Sequence, residues 1–343
     1  MKDITLLAID LAKNVFQLHG MDKNNKTVLR RQVKRKDLLR TICQLPPCKI
    51  AMEACSGSHY WARQFQRHGG HQIQLISPQH VKPYVKGNKT DRNDAEAIAI
   101  AALLERTPSV AVKSEEAQEI QMMHRIRERH MKGRTALANQ IRGLLAEFGI
   151  VIPKGVHKLR KELPIILEEG TNALLVQSRE MFYELYLEIL AHDKKIAAYT
   201  RKLEVVAKTN ARCQKLLKIP GIGNLTATAI IADMGDPKAY RSGRHYAANI
   251  GLVPKEKSSG ERRQLMEITK RGNTALRSLF IHGGRALVRV AGRKSDKQSV
   301  WITQLVERRG INKAAVAVAN KNARHAWAVL VGDEEYRPEL GYA

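Results

Sequence analysis

Aromatic residues make up only 5% of this 343-residue chain, so wide platforms for stacking bases are not expected. Long apolar runs are missing too. No stretch approaches the roughly 20 residues that would span a bilayer. The first apolar run, Ile4 to Ile9, is short and ends in Asp10, which argues against a signal peptide. Cysteines number four, Cys43, Cys48, Cys55 and Cys213, and the pattern fits a cytosolic protein with reduced thiols. Cys43, Cys48, Cys55 and His59 can be drawn as a zinc site. Their spacing lacks the paired short loops of zinc modules, and Cys55 ends an expected strand, so that reading is set aside.

Acidic residues are the other shortage. Asp plus Glu total 33 against 59 Lys plus Arg, a formal net charge of +26. That much like charge in a compact chain is most simply explained by a polyanionic partner. Phosphate contacts should then dominate affinity, and binding should weaken steeply with salt. The length allows two domains.

Residues 1–112 read as α/β. "ITLLAIDLAK" is a strand ending near Asp10. "VFQLHGMDKNNKTVLRRQV" is a hairpin turning at Asn24-Asn25, and "KRKDLLRTICQLP" is a helix. "KIAMEAC" is a buried strand carrying Glu53, followed by the helix "YWARQFQRHGG" and the strand "HQIQLISP". A helix then runs from Thr90 to about Glu105. Residues 113–210 read as a coiled-coil and linker region. One long helix covers 114–150, a basic Pro- and Gly-containing segment covers 153–170, and a second long helix follows. In the latter Phe182, Leu185, Ile189, His192, Ile196, Tyr199, Leu203 and Val206 alternate by three and four. That is a heptad seam suited to an intrachain hairpin or a dimer, with His192 as a register-setting member. Residues 211–331 form a mainly helical second domain with a tail at 332–343. It opens on "LLKIPGIGNLTATAIIADMG", whose Gly221 and Gly223 between helical stretches suggest a helix-hairpin-helix turn able to meet a phosphate.

Four acids fall where such a fold would gather them. Asp10 and Glu53 end two strands, and sites in α/β sheets form beyond strand carboxyl ends. Asp91 and Asp94, three apart, share one face at a helix start. Glu96 lies about 200° around that helix from Asp94 and is left out. Glu53 stands out because its surroundings are apolar, and a buried carboxylate needs a partner or a metal. Crowded oxygen ligands suit a hard cation, and two such ions can drive phosphoryl transfer.

In this order, "AIDLAK", "AMEAC" and "KTDRNDAEAIA" resemble the DEDD insertion-sequence transposases. "IPGIGNLTATAIIADMGDP", "GRHYAANIGLVPKEKSSGERRQ" and "ITKRGNTALRSLFIHGGRAL" are similar to that family's C-terminal transposase domain. The resemblance spans Asp10 to about Ala286. It implies a RuvC-like, ribonuclease-H-like first domain that binds Mg²⁺ (or Mn²⁺) through Asp10, Glu53, Asp91 and Asp94. It implies a serine nucleophile in the Ser-Gly motif, Ser259, with adjacent Ser258 the alternative, and an active site drawn from two domains of one subunit or of two. Lys257, Arg262, Arg263, Lys270, Arg271 and Arg277 are then contacts to nucleic-acid backbone. The implied partners are donor and target DNA, a structured non-coding guide RNA, and further copies of the chain in a homodimer or homotetramer, within a bacterial cytoplasm at the nucleoid. Composition alone would read the Ser-Ser-Gly stretch as a solvated basic loop. Two rivals therefore stand: a metal-only RuvC-like endonuclease, which forms no covalent adduct, and a non-enzymatic RNA-binding scaffold, which cuts nothing.

Overall fold

A computed structural model describes residues 3–88, 90–260, 262, 264–332 and 335–337. The chain gathers into two compact units, Met1–Ser114 and Glu115–Ala343.

The first unit is built on alternation. β1 (Leu6–Asp10), β2 (Val15–Met21) and β3 (Thr27–Lys34) form an antiparallel meander, followed by α1 (Arg35–Cys43). The turn between β2 and β3 places Asn25 at φ 59°, a left-handed position that Asn tolerates. β4 (Lys49–Glu53) then lies parallel beside β1, and α2 (Ser58–Gly69) leads to β5 (Gln72–Ile76), parallel beside β4. After α3 (Pro78–Val81) and α4 (Asp91–Leu103), the two-residue β6 (Ser109–Val110) closes the edge antiparallel to β5. The sheet order is β3-β2-β1-β4-β5-β6.

Period-two side chains give this sheet two buried faces. Leu7, Ile9, Ile50 and Met52 face one core with Leu38 and Ile42 of α1 and Trp61 and Phe65 of α2. Leu6, Ala8 and Ala51 face the other, against Ala97, Ile98 and Ala101 of α4. The small alanines let α4 approach the sheet closely. Lys49 on β4 donates to the Ala102 carbonyl at 2.8 Å and so satisfies the last turn of α4.

The second unit is mainly helical. α5 (Glu115–Ala146) and α7 (Val176–Thr209) run antiparallel. Arg127 meets Thr200, Arg134 meets Asp193, and Phe148 just past α5 meets Phe182. The heptad seam therefore closes within one chain, with Ile189 and Leu203 fully buried in it. His192 lies against His130 at 3.0 Å. The basic segment after α5 is not a plain linker: it contains α6 (Val156–Glu168), whose Leu159 and Leu163 bury against the α5–α7 pair. Pro164 sits inside it.

α8 (Ala211–Leu217) and α9 (Asn224–Met234) flank the glycine turn. Gly221 has φ 85°, and its carbonyl lies where a Cβ on Gly283 would stand 2.0 Å away. After α10 (Gly243–Asn249), β7 (Pro254–Glu256) and β8 (Leu265–Ile268) form an exposed hairpin. α11 (Thr274–Ala291), α12 (Lys297–Arg309) and α13 (Ile311–Val331) complete the unit, with Leu276, Phe280, Ala319 and Ala323 in its largest core. Among the described residues no helix is long and apolar enough to cross a membrane.

Candidate active site

The parity of β1 decides where Asp10 points. Leu6 and Ala8 face α4, so Asp10, two further on, stands on the same face. Ala51 fixes the same parity for Glu53 on β4. The parallel register pairs Ile9 with Met52, so the next pair along is Asp10 beside Glu53. Asp91 and Asp94 occupy the first turn of α4, which covers this face. Thr90 caps that turn by accepting from the Asn93 N–H at 3.3 Å. The Asn93 side chain donates to the Lys86 and Asn88 carbonyls at 3.1 and 2.8 Å, tying the preceding loop to the helix start.

Asp10 senses the other three carboxylates. Burial, followed by the charges of Asp94, Asp91 and Glu53, pushes the Asp10 carboxyl up to about 6. Glu53 and Asp10 also help burial to raise the nearby Cys55 thiol. Among the described residues no group of three His, Cys, Asp or Glu side chains is arranged to hold a metal ion as it stands. The carboxylates thus converge without forming a closed cage. Their chemistry nevertheless fits a hard divalent cation: all donors are oxygen, and the charge repulsion at Asp10 is what a bound cation would relieve. Glu96 takes no part, since it pairs with Arg30 of β3 at 3.1 Å. Cys48 is buried against His71, whose Nε2 meets the Ile42 carbonyl at 3.2 Å.

The serines sit at the tip of the β7–β8 hairpin. Ser259 pairs with Arg262 through two backbone hydrogen bonds of 3.4 and 3.2 Å, and Gly260 supplies the φ of 57° that the turn needs. Both serine residues are exposed. Ser258 Oγ donates to Glu256 Oε1 at 2.8 Å. Alternation along a strand puts residues 256 and 258 on one face, which is the sequence signal for this partnership.

The basic residues separate into groups. Lys257, Arg262 and Arg271 are exposed. Lys270, at φ 56°, donates to Glu267 at 2.6 Å, and Lys255 reaches the same carboxylate at 3.4 Å. Arg263 lies outside the described residues. Arg277 lies in a different setting from the others. It is 7% exposed, and its guanidinium donates to the Ile250 and Arg271 carbonyls at 3.1 and 2.7 Å and to Thr274 at 3.0 Å. It secures the turn that presents Lys270 and Arg271.

Both parts of the chain match known transposases. A DEDD transposase model of the IS110 type matches residues 7–150. A model described as the transposase IS116/IS110/IS902 family matches residues 213–299. The transposase for insertion sequence element IS1111A of Coxiella burnetii is 47% identical over 337 residues, covering 98% of this chain and 92% of its own length. The chain belongs to the IS116/IS110/IS902 transposase family. A probable family 20 transposase of Pseudomonas aeruginosa is 45% identical, covering 98% of this chain and 99% of its own length. More distantly, the transposase resembles a pilin gene-inverting protein of Moraxella lacunata, 24% identical over 272 residues that cover 75% of this chain and 74% of that protein. It is a DNA transposase of insertion-sequence type, and DNA is its substrate.

Proposed function

We propose that this transposase cuts and rejoins DNA through a covalent phosphoserine, with its carboxylates serving a divalent cation. The observation that carries the reading is the convergence of Asp10, Glu53, Asp91 and Asp94 on one face of a β3-β2-β1-β4-β5 sheet, an order that supports a RuvC-like, ribonuclease-H-like first domain. Those four residues would hold Mg²⁺ or Mn²⁺, which supplies electrostatic stabilisation to phosphoryl oxygens. Residues 1–112 then form the catalytic carboxylate domain, 113–210 a coiled-coil region, and 211–331 the serine-bearing domain.

In the covalent step Ser259 Oγ attacks the phosphorus of a DNA phosphodiester. The Oγ–P bond forms, the bond to the leaving strand oxygen breaks, the serine proton passes to a base, and the leaving oxygen takes up a proton. A hydroxyl of the second strand then attacks the same phosphorus and releases Oγ. The exposed Lys257 and Arg262 flank the serine and offset the charge that accumulates. Lys270 and Arg271 hold the DNA backbone. One observation favours a second reading of the nucleophile: Ser258 already donates to a carboxylate, Glu256, suited to take its proton.

Guide-RNA binding follows from the family resemblance, and the +26 charge and low aromatic content are compatible with backbone contacts to it. The active form is a homodimer or homotetramer in the cytoplasm, at the nucleoid. Denaturing gels test the covalent step. A labelled DNA adduct should form with the wild type and Ser258→Ala, and vanish in Ser259→Ala and Asp10→Ala. Loss in Ser258→Ala alone would move the nucleophile to Ser258. Strand cleavage with no adduct in any form would establish a metal-only nuclease.

A further inference from the structure

Several lysines and arginines meet acids. α11 does not follow that pattern. Its 18 residues contain no Asp or Glu. Leu276, Phe280, Gly284 and Ala291, with the half-buried Leu287, form one face packed against the helices around it. Gly284 is so close to α13 that a Cβ there would stand 2.3 Å from the Ala315 carbonyl. At 100° per residue the opposite face is Ser278, His282, Arg285 and Arg289, continued by Arg293 just past the helix. All five are exposed.

Arg285 reaches only a neutral neighbour, Asn312, at 3.5 Å. Among the described residues no acid pairs with His282, Arg285, Arg289 or Arg293. Elsewhere acids do meet the arginines and lysines: Glu96 meets Arg30, Asp193 meets both Arg134 and Arg160, and Glu335 meets Lys218. The neighbouring α13 also contains no acid. From Arg285 to Arg293 this is therefore a stripe of uncompensated charge about 12 Å long, set by the packed helix. Its steps of four residues, about 6 Å, present one cation per turn to a regular polyanion.

We propose that the outer face of α11, through Arg285, Arg289 and Arg293, is a docking surface for the phosphate backbone of duplex DNA. The occupant follows from charge complementarity and from the transposase's established substrate. The proposal does not depend on the serine reading. The contacts are with backbone, so they set position along the duplex without reading sequence.

Fluorescence anisotropy of the full chain on duplex DNA between 50 and 200 mM salt tests this. Each lost phosphate contact lowers the slope of log affinity against log salt by about 0.9. Arg285→Gln with Arg289→Gln and Arg293→Gln should lower it by about 2.7, so the variant loses about fortyfold less affinity across that range. Lys154→Gln with Lys158→Gln and Lys161→Gln removes the same charge from exposed positions before and on α6 and should leave the slope near wild type. Ser278→Arg, an added cation on the stripe, should raise it by about 0.9. An unchanged slope in the α11 triple variant, an equal loss in the α6 triple variant, or an effect seen with structured RNA but not with duplex DNA would overturn the proposal. Adduct formation at Ser259 is a separate readout, so failure of one reading leaves the other standing.

Discussion

Two glycines in helices should respond in opposite ways to the same substitution. Gly283 in α11 lies against the glycine turn between α8 and α9. An added Cβ would meet the Gly221 carbonyl oxygen at 2.0 Å, far inside contact distance. That oxygen belongs to backbone at φ 85°, and the Asn322 side chain donates to the adjacent Pro220 carbonyl at 2.8 Å, so the turn has little room to retreat. Forced overpacking costs about 3 kcal/mol or more at such a contact, while Ala in place of Gly returns only about 1 kcal/mol of helix propensity. Gly283→Ala should therefore lose about 2 kcal/mol, which for a unit of this size lowers Tm by about 4–8 °C. Gly143 in α5 is exposed, with nothing within 4 Å of its added Cβ. Gly143→Ala should gain about 0.5–1 kcal/mol. Scanning calorimetry of both variants is the assay. An unchanged or higher Tm for Gly283→Ala would refute the placement of the turn against α11.

Further outcomes follow from charge and burial. Burial, aided by Lys321 and Arg324, lowers His325 to about 4, and burial, aided by Arg127, does the same for His124, which meets Thr228 at 3.0 Å. A histidine held neutral in the fold contributes its stability above about pH 6.5 and loses it as pH falls toward 4. At pH 5 His325 alone should cost about 2 kcal/mol, the half-buried His124 somewhat less, and His325→Gln should flatten the acid limb of a urea-midpoint profile. An acid limb identical to wild type would contradict this. At the carboxylate cluster, Asp10→Asn removes a charge that three neighbours oppose. In chelator at pH 8 it should stabilise the chain by about 1–2 kcal/mol, after allowing for partial exposure. Added Mg²⁺ should raise the Tm of the wild type more than that of the variant, and equal shifts would argue against the cluster as the cation site.

The strands and their acids were legible because period-two patterning says both where a strand lies and which way each residue faces. Leu6, Ala8 and Asp10 share a face by count alone, and so do Ala51 and Glu53. The long helices α5 and α7 were legible for the same kind of reason, through spacing by three and four. Whether their seam closed within a chain was not, because an apolar stripe carries no address for its partner. α6 was hidden by Pro164 and by its basic residues, although Leu159 and Leu163 drive its burial. Arg277 shows the limit most clearly. Its charge suggested a phosphate, but the Ile250 carbonyl, 27 residues away, and the nearer Arg271 carbonyl and Thr274 hydroxyl converge on its guanidinium, and only the fold reveals the first of them. The Ser258–Glu256 contact is local, two residues apart on one strand, but the sequence shows the alternation without showing which side-chain rotamers bring the two together.

The central claim is that a serine of the β7–β8 hairpin carries the DNA strand during exchange. Mass spectrometry of the trapped complex, after nuclease trimming and proteolysis, tests it most directly. A nucleotide remnant attached to Ser259 is the expected result. A remnant on no serine of the hairpin, with DNA strands nonetheless cut, would contradict it.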